Sequence, residues 1–251
     1  RINEIKNSLH AAYEERHNFE QNLQQISAWT GGKEAEVACP SLLPLKAEAA
    51  EKVYQRYKKL ETDTKIYVGS SVASARRQAD SLLKDCDEED TEDLDDTMIE
   101  AVGKITELRQ TLAGTLNCLS NMVESRKDFE KQVDLAQKWI HEAEIALRTD
   151  TRSLNSADVL EEHLKKLEML EDEQEEANRR INSISNMCAD LLEYLTEADK
   201  FTLGEIVRDL QDRSEFINSG LTDKIEQIRE AIFTQRKMTE RMVQSTQTLA
   251  N

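Results

Sequence analysis

The segment RHNFEQNLQQISAW at residues 16–29 returns as RKDFEKQVDLAQKW at residues 126–139. Arg16 and Arg126, Phe19 and Phe129, Glu20 and Glu130, and Trp29 and Trp139 are each 110 residues apart, and the chain has no other tryptophan. Arg236 and Glu240 open a third copy, with Leu249 where a third Trp would fall. A fixed period of this length marks an array of structural units, and no other feature constrains the fold as strongly.

Within a period, the apolar residues are spaced as a helix seam. From Ile105 they run through Leu108, Leu112, Thr115, Leu119, Met122, Arg126, Phe129, Val133, Ala136, Ile140 and Ala143 to Leu147, in alternating steps of three and four. This is a heptad pattern with Thr115 and Arg126 as its polar exceptions. No Pro interrupts it and only Gly114 weakens it, so the spacing predicts one helix running across the boundary between two periods. Ile2, Ile5, Leu9, Ala12, Arg16, Phe19, Leu23 and Ile26 repeat the pattern at the start of the chain. Breaks are expected near 31–44, which carries Gly31, Gly32, Pro40 and Pro44, and near 85–93, 148–156 and 197–204. Each period then holds three helices. Short helix–helix connections favour antiparallel neighbours, so an up-down-up unit would pass its third helix directly into the first helix of the next. A two-stranded coiled coil of parallel chains would need neither the grouping of breaks nor the two prolines.

Composition agrees with long helices carrying narrow apolar stripes. Of 251 residues, 33% are charged and 38% hydrophobic, with 7 Gly, 2 Pro and 5% aromatics, too few turn and β-forming residues for an α/β domain. A net charge of −17 argues against nucleic acid and against an anionic membrane surface as partners. No apolar run is long enough to span a bilayer, so direct membrane insertion is not expected. Cys39, Cys86, Cys118 and Cys188 show no CxxC spacing and are read as free buried thiols of a reducing compartment. The chain opens in mid-pattern without an initiator Met and is read as a fragment.

On these residues the chain resembles the spectrin-repeat superfamily. The carriers are Trp29 and Trp139 in the place of the aromatic that marks the first helix, together with the three-helix period and the continuous junction. The resemblance covers essentially the whole chain. It implies an all-α fold: tandem three-helix spectrin-like bundles in an elongated rod, roughly 100 Å long by helix rise, with continuous inter-repeat helices. It divides the chain into 1–12 as the end of a preceding helix, repeats at 13–122 and 123–232, and 233–251 as the start of a following helix. Where such repeats often carry a second Trp in the third helix this chain has none, and Phe216 is read as its substitute in the second repeat. The period, the acidity and the divergent third helix are most similar to nesprins, giant linkers between nucleus and cytoskeleton. A self-associating spectrin-, dystrophin- or plakin-type membrane-skeleton rod is the alternative. The nesprin resemblance implies a cytoplasmic, cytoskeletal protein whose parent sits at the outer nuclear membrane. It implies cytoskeletal or actin-regulatory partners, a formin-type regulator among them. The fragment itself is expected to be monomeric, because each period supplies its own core.

The expected roles of single residues follow. Trp29, Trp139, Phe19 and Phe129 are core markers, since a few large side chains dominate a thin three-helix core. Leu119, Met122 and Arg126 mark the junction. A seam arginine is costly unless its charge is paired, and Glu20, Glu130 and Glu240 lie four residues beyond Arg16, Arg126 and Arg236, within pairing range. DCDEEDTEDLDD, residues 85–96, holds nine acids among twelve positions. Counted as a calcium loop it lacks the required Gly at its sixth position, where Asp90 stands. It reads as a solvated loop, with Asp87, Glu88, Glu89 and Asp90 as the candidate docking surface for a basic partner. No cofactor is expected. His10, His17, His141 and His163 are scattered, and no phosphate-binding, nucleophile-elbow or metal-ligand motif occurs, so an enzyme has no support in the sequence.

Overall fold

The computed structural model describes residues 2–83, 88–150 and 156–250, with the backbone alone described at 88–91 and 247–250. The helices are α1 (Ile2–Val37), α2 (Ala47–Leu82), α3 (Glu88–Arg148), α4 (Ala157–Leu192) and α5 (Glu197–Ala250), and no strand occurs among the described residues. The protein is therefore all-α, built as helical-bundle repeats. It divides into two compact units, Arg1–Leu43 with Glu48–Glu124, and Pro44–Ala47 with Ser125–Asn251. The period read from the tryptophans is kept by the backbone: α4 starts and ends 110 residues after α2.

The seam from Ile105 to Leu147 lies within the unbroken α3. Two of the expected breaks are displaced. Gly31 and Gly32 lie inside α1, which runs on to Val37. Glycine in a helix costs only about 1 kcal/mol against alanine, whereas Pro40 drives Cys39 out of the helical region and ends the helix there. Likewise Gly204 lies inside α5, and the break falls earlier, between Leu192 and Glu197. Its marker is a polar cap. The Thr196 hydroxyl accepts from the Asp199 amide at 3.2 Å and donates to the Asp199 carboxylate at 3.1 Å, an N-cap that starts α5. At α4, where the sequence offers Ser156 or Asn155 as the cap, Ser156 takes the position, its hydroxyl accepting from the Val159 amide at 3.3 Å. The break expected near 85–93 is displaced as well, since α3 begins at Glu88.

In the first unit Phe19, Leu23 and Ile26 of α1 meet Ala75, Ala79 and Leu82 of α2 and Leu94, Ala101 and Ile105 of α3. A second cluster joins Val37, Leu108 and Leu112, with Trp29, Tyr57 and Leu60 packed against it. In the second unit one cluster runs from Phe129 and Trp139 on α3 through Leu167 and Ile184 on α4 to Leu210 and Ile228 on α5. Leu45, ahead of α2, belongs to that same cluster. A polar ladder runs through the second unit between α4 and α5. Ser214 donates to Asn178 Oδ1 at 2.8 Å, Asn218 donates to the same oxygen at 3.2 Å, and Gln174 donates to Asn218 at 2.8 Å. Its geometry is satisfied in one register of the two helices only.

The repeated aromatics are not equivalent. Phe19 and Phe129 are both buried. Trp139 is 7% exposed, whereas Trp29 is half-buried and stacks on Tyr67, ring centres 4.0 Å apart. The residue 110 positions after Tyr67 is Ala177, so Trp139 has no counterpart to that stacking partner, and a groove of about 400 Å³ opens beside it between Leu135, Glu173 and Arg180. Phe216 corrects an expectation: at 66% exposure it replaces no core aromatic. The core positions of α5 on either side of it are Ser214 and Ile217, which turn Phe216 toward solvent. Cys188 is buried as expected, but Cys39 is exposed and Cys118 half-buried, because Cys39 follows the last turn of α1; Cys86 lies outside the described residues.

Truncating Trp139 to Ala is expected to cost about 3–5 kcal/mol, as for a fully packed aromatic. Trp29→Ala should cost less, since the ring is only partly covered and the stacking on Tyr67 contributes about 0.5–1.5 kcal/mol. Urea denaturation followed by circular dichroism compares the two; equal losses would contradict the asymmetry.

Candidate functional site

Where α1 ends in the first unit, its last carbonyls leave the helical ladder, that of Val37 in the core and that of Ala38 at the surface. The carbonyl of Val37, a buried residue, accepts from the Thr115 hydroxyl of α3 at 2.8 Å. The next, Ala38, accepts from the Tyr57 hydroxyl of α2 at 2.8 Å. One residue further, the Cys39 thiol lies near Cys118 of α3; burial first, and then that neighbour, raise its pKa. Burial, then the nearby Cys39, raise the Tyr57 phenol above its ordinary value, so it stays protonated and a donor. Thr115, a polar exception in an apolar seam, is thus explained by the carbonyl it satisfies.

The second exception has a parallel explanation within the second unit. Arg126 is 0% exposed, and its Nε donates to the Pro44 carbonyl at 2.7 Å. Burial lowers the guanidinium's pKa from its ordinary value, and the Asp199 carboxylate in the first turn of α5 works against that shift. Glu130, one turn on, accepts from the Ala47 amide at 3.1 Å, placing a carboxylate at the start of α2. The repeated arginine has three environments. Arg16 is half-buried and pairs with Glu20 at 3.4 Å, and the exposed Arg236 reaches Glu161 of α4. Of the other junction residues, Leu119 is buried and Met122 half-buried.

A charged network lies on the second unit. Arg213 of α5 donates to Glu144 of α3 at 2.7 Å and to Asp209 at 3.1 Å, and Arg148 lies 3.6 Å from Glu144. The Arg213 bond first, with Arg148 adding to it, holds the Glu144 carboxyl below its ordinary value. Lys224 of α5 donates to the Thr149 carbonyl at 2.8 Å, just past the end of α3. His163 of α4 is half-buried, with its Nε2 atom covered and without a hydrogen-bond partner. Burial chiefly, with Lys224 and Lys166 adding repulsion, lowers its pKa.

Of the candidate docking acids, Glu88, Glu89 and Asp90 form the first turn of α3, which corrects their reading as loop, while their side chains and all of Asp87 lie outside the described residues. Glu92, Asp93, Asp95 and Asp96 are exposed around the buried Leu94. Acids near a helix start are favoured by its dipole. Among the described residues, no helix is long and apolar enough to cross a membrane.

Tyr57, Lys224, the Glu144–Arg213 pair and the Cys39–Cys118 pair have no periodic signal. Only Thr115 and Arg126 announced themselves, as polar residues in an apolar seam.

No family model matches the chain. The chain is similar to Muscle-specific protein 300 kDa of Drosophila melanogaster, at 27% identity over 249 residues. The match takes in 99% of this chain, both units included, and 2% of the relative's length.

Arg126→Ala should destabilise the second unit by about 2–5 kcal/mol, combining a cavity with an unmet carbonyl. Arg126→Met, which fills the space, should cost only the hydrogen-bond part, about 1–3 kcal/mol. Chemical denaturation of both variants separates the two contributions, and equal losses would count against the bond to Pro44.

The stability of the chain should also depend on pH through His163. The unfolded chain takes up its proton near the ordinary value of 6.5, whereas the folded chain does so at lower pH. Between those values the unfolded state binds more protons, so stability falls as pH drops through 6.5 toward the folded value. Glu144 acts at lower pH, since its contribution is lost only below its ordinary carboxyl value of 4.5. Melting temperatures measured from neutrality down to about one unit below the imidazole's ordinary pKa should fall for the natural chain and flatten in His163→Gln. An unchanged slope in the variant would assign the effect to another group.

Proposed function

We propose that the chain is a non-enzymatic structural segment of a very long cytoskeletal protein of spectrin-repeat type. The observation that carries this reading is α3, a single helix whose successive turns enter the core of the first unit and then the core of the second. A helix shared in this way is how a tandem array continues from unit to unit without a flexible linker. The similarity to a small part of a very long muscle-specific relative supports an array of this kind. Ile2, Ile5 and Leu9 continue the α1 seam in exposed positions, and Met238 and Met242 are exposed on α5. In the parent protein these side chains would be covered by neighbouring units, with 13–122 and 123–232 as the two repeats, 1–12 closing the one before and 233–251 opening the one after. The parent is read as nesprin-like, joining the nucleus to the actin cytoskeleton from the outer nuclear membrane. Its partners are then cytoskeletal or actin-regulatory proteins, with the acids at the start of α3 among the docking surfaces.

A structural segment should yield to load and recover. Held by its ends in optical tweezers, the chain should lengthen in steps and refold when the force is released. Each residue leaving a helix adds about 2 Å, the difference between a rise of ~1.5 Å and an extended reach of ~3.5 Å. Steps that do not reverse over repeated cycles would overturn the mechanical reading.

A further inference from the structure

Cys39 and Cys118 are brought together by the fold, although 110-residue periodicity gives no reason for it. Their counterparts in the second unit are Thr149 and Ile228. Ile228 is buried in the core there, and the Thr149 hydroxyl bonds the Ile145 carbonyl at 3.0 Å, so packing at these two positions does not require sulfur. In the first unit the Thr115 bond to the Val37 carbonyl sets the segment before Cys39 against the turn of α3 that carries Cys118, and the two thiols lie near enough for Cys118 to help raise the Cys39 pKa. Cys39 lies outside any helix and is exposed, whereas Cys118 is half-buried on α3. The backbone just before Cys39 is held on two sides, by Thr115 at the Val37 carbonyl and Tyr57 at the Ala38 carbonyl, each at 2.8 Å. The sulfur pair is therefore part of a fixed arrangement, with one member open to solvent. Cys188 provides the contrast: it is buried in the second core, where burial pushes its thiol up to about 11.

We infer that Cys39 and Cys118 form a reversible disulfide site, closed by exchange with a small disulfide of the glutathione class and reopened by a small thiol. In the first step the Cys39 thiolate attacks one sulfur of the small disulfide, and one small thiolate leaves. In the second the Cys118 thiolate attacks the Cys39 sulfur of this mixed disulfide and releases the second small thiolate. The two protein thiols are oxidised, the small disulfide is reduced, and the two protons end on the released thiols. Burial first, and then the neighbouring Cys118, hold the Cys39 thiol above its ordinary value, so the first step is slow at neutral pH and faster in alkali. The closed bond would fasten the segment after α1 to α3 across a long stretch of chain, which restricts the unfolded state.

The test uses the full chain carrying Cys86→Ser and Cys188→Ser, treated with oxidised glutathione and then blocked with N-ethylmaleimide. Intact mass should fall by two hydrogen atoms without a glutathione adduct. Non-reducing peptide mapping should join the Cys39 and Cys118 peptides, and dithiothreitol should undo the change. The oxidised chain should melt several degrees higher than the reduced one. In Cys118→Ser or Cys118→Ala, Cys39 should keep its glutathione adduct, because the resolving thiol is gone. A stable adduct on Cys39 while Cys118 is present, or a disulfide between two chains in place of the internal bond, would overturn the proposal. The same mapping on the natural four-cysteine chain must find the Cys39–Cys118 bond.

Discussion

A helix end leaves its last carbonyls without helical partners, and in each unit side chains of neighbouring helices meet some of them. Leaving one buried acceptor unmet costs about 1–3 kcal/mol. Placing a polar side chain in an apolar seam forfeits burial of about 0.8 kcal/mol per methylene. The two are close enough that the polar residue is favoured wherever it reaches a carbonyl, and disfavoured elsewhere. The first unit places Thr115 and Tyr57 at the Val37 and Ala38 carbonyls. In the second unit the counterparts of these two side chains are Ile225 and Leu167, both core residues. There the carbonyl of Thr149 is met instead by Lys224, at a position occupied by Gly114 one period earlier. Equivalent helix ends are thus satisfied by different residues.

Arg126 shows the same balance with a charge. A guanidinium taken out of water is costly unless its hydrogen bonds and charge are answered. The Pro44 carbonyl answers one donor at 2.7 Å, and Asp199 lies near enough to support the charged form. Because Glu130 meets the Ala47 amide nearby, one turn of α3 serves both the carbonyl of Pro44 and the first amide of α2. The second unit therefore includes Pro44–Ala47, a segment far from the rest of that unit in sequence.

These arrangements bear on function through α3. A chain whose units share a helix continues its repeat pattern without a loop, which suits a structural role. The residues that vary between units are then where individual properties arise. The Cys39–Cys118 pair belongs only to the first unit, and the Asn178–Ser214–Asn218 ladder crosses the second.

The 110-residue period, the all-α class, the continuity of α3 and the Ser156 cap were legible in the sequence, because each depends on local spacing or on one residue's preference for a helix start. The first and last breaks were displaced because Gly31 and Gly32 were weighed equally with Pro40, and the Thr196 N-cap was not read as a helix start. Phe19 and Phe129 behave alike, as their spacing suggests, but Trp29 and Trp139 differ because Tyr67 and Ala177 lie on another helix. Likewise the three arginines share one register and have three degrees of burial. Which carbonyl Arg126 meets, which thiol lies beside Cys39 and which lysine closes α3 depend on residues tens of positions away in sequence. Only the packing of helices against one another brings those atoms together, and periodicity along one chain carries no record of it.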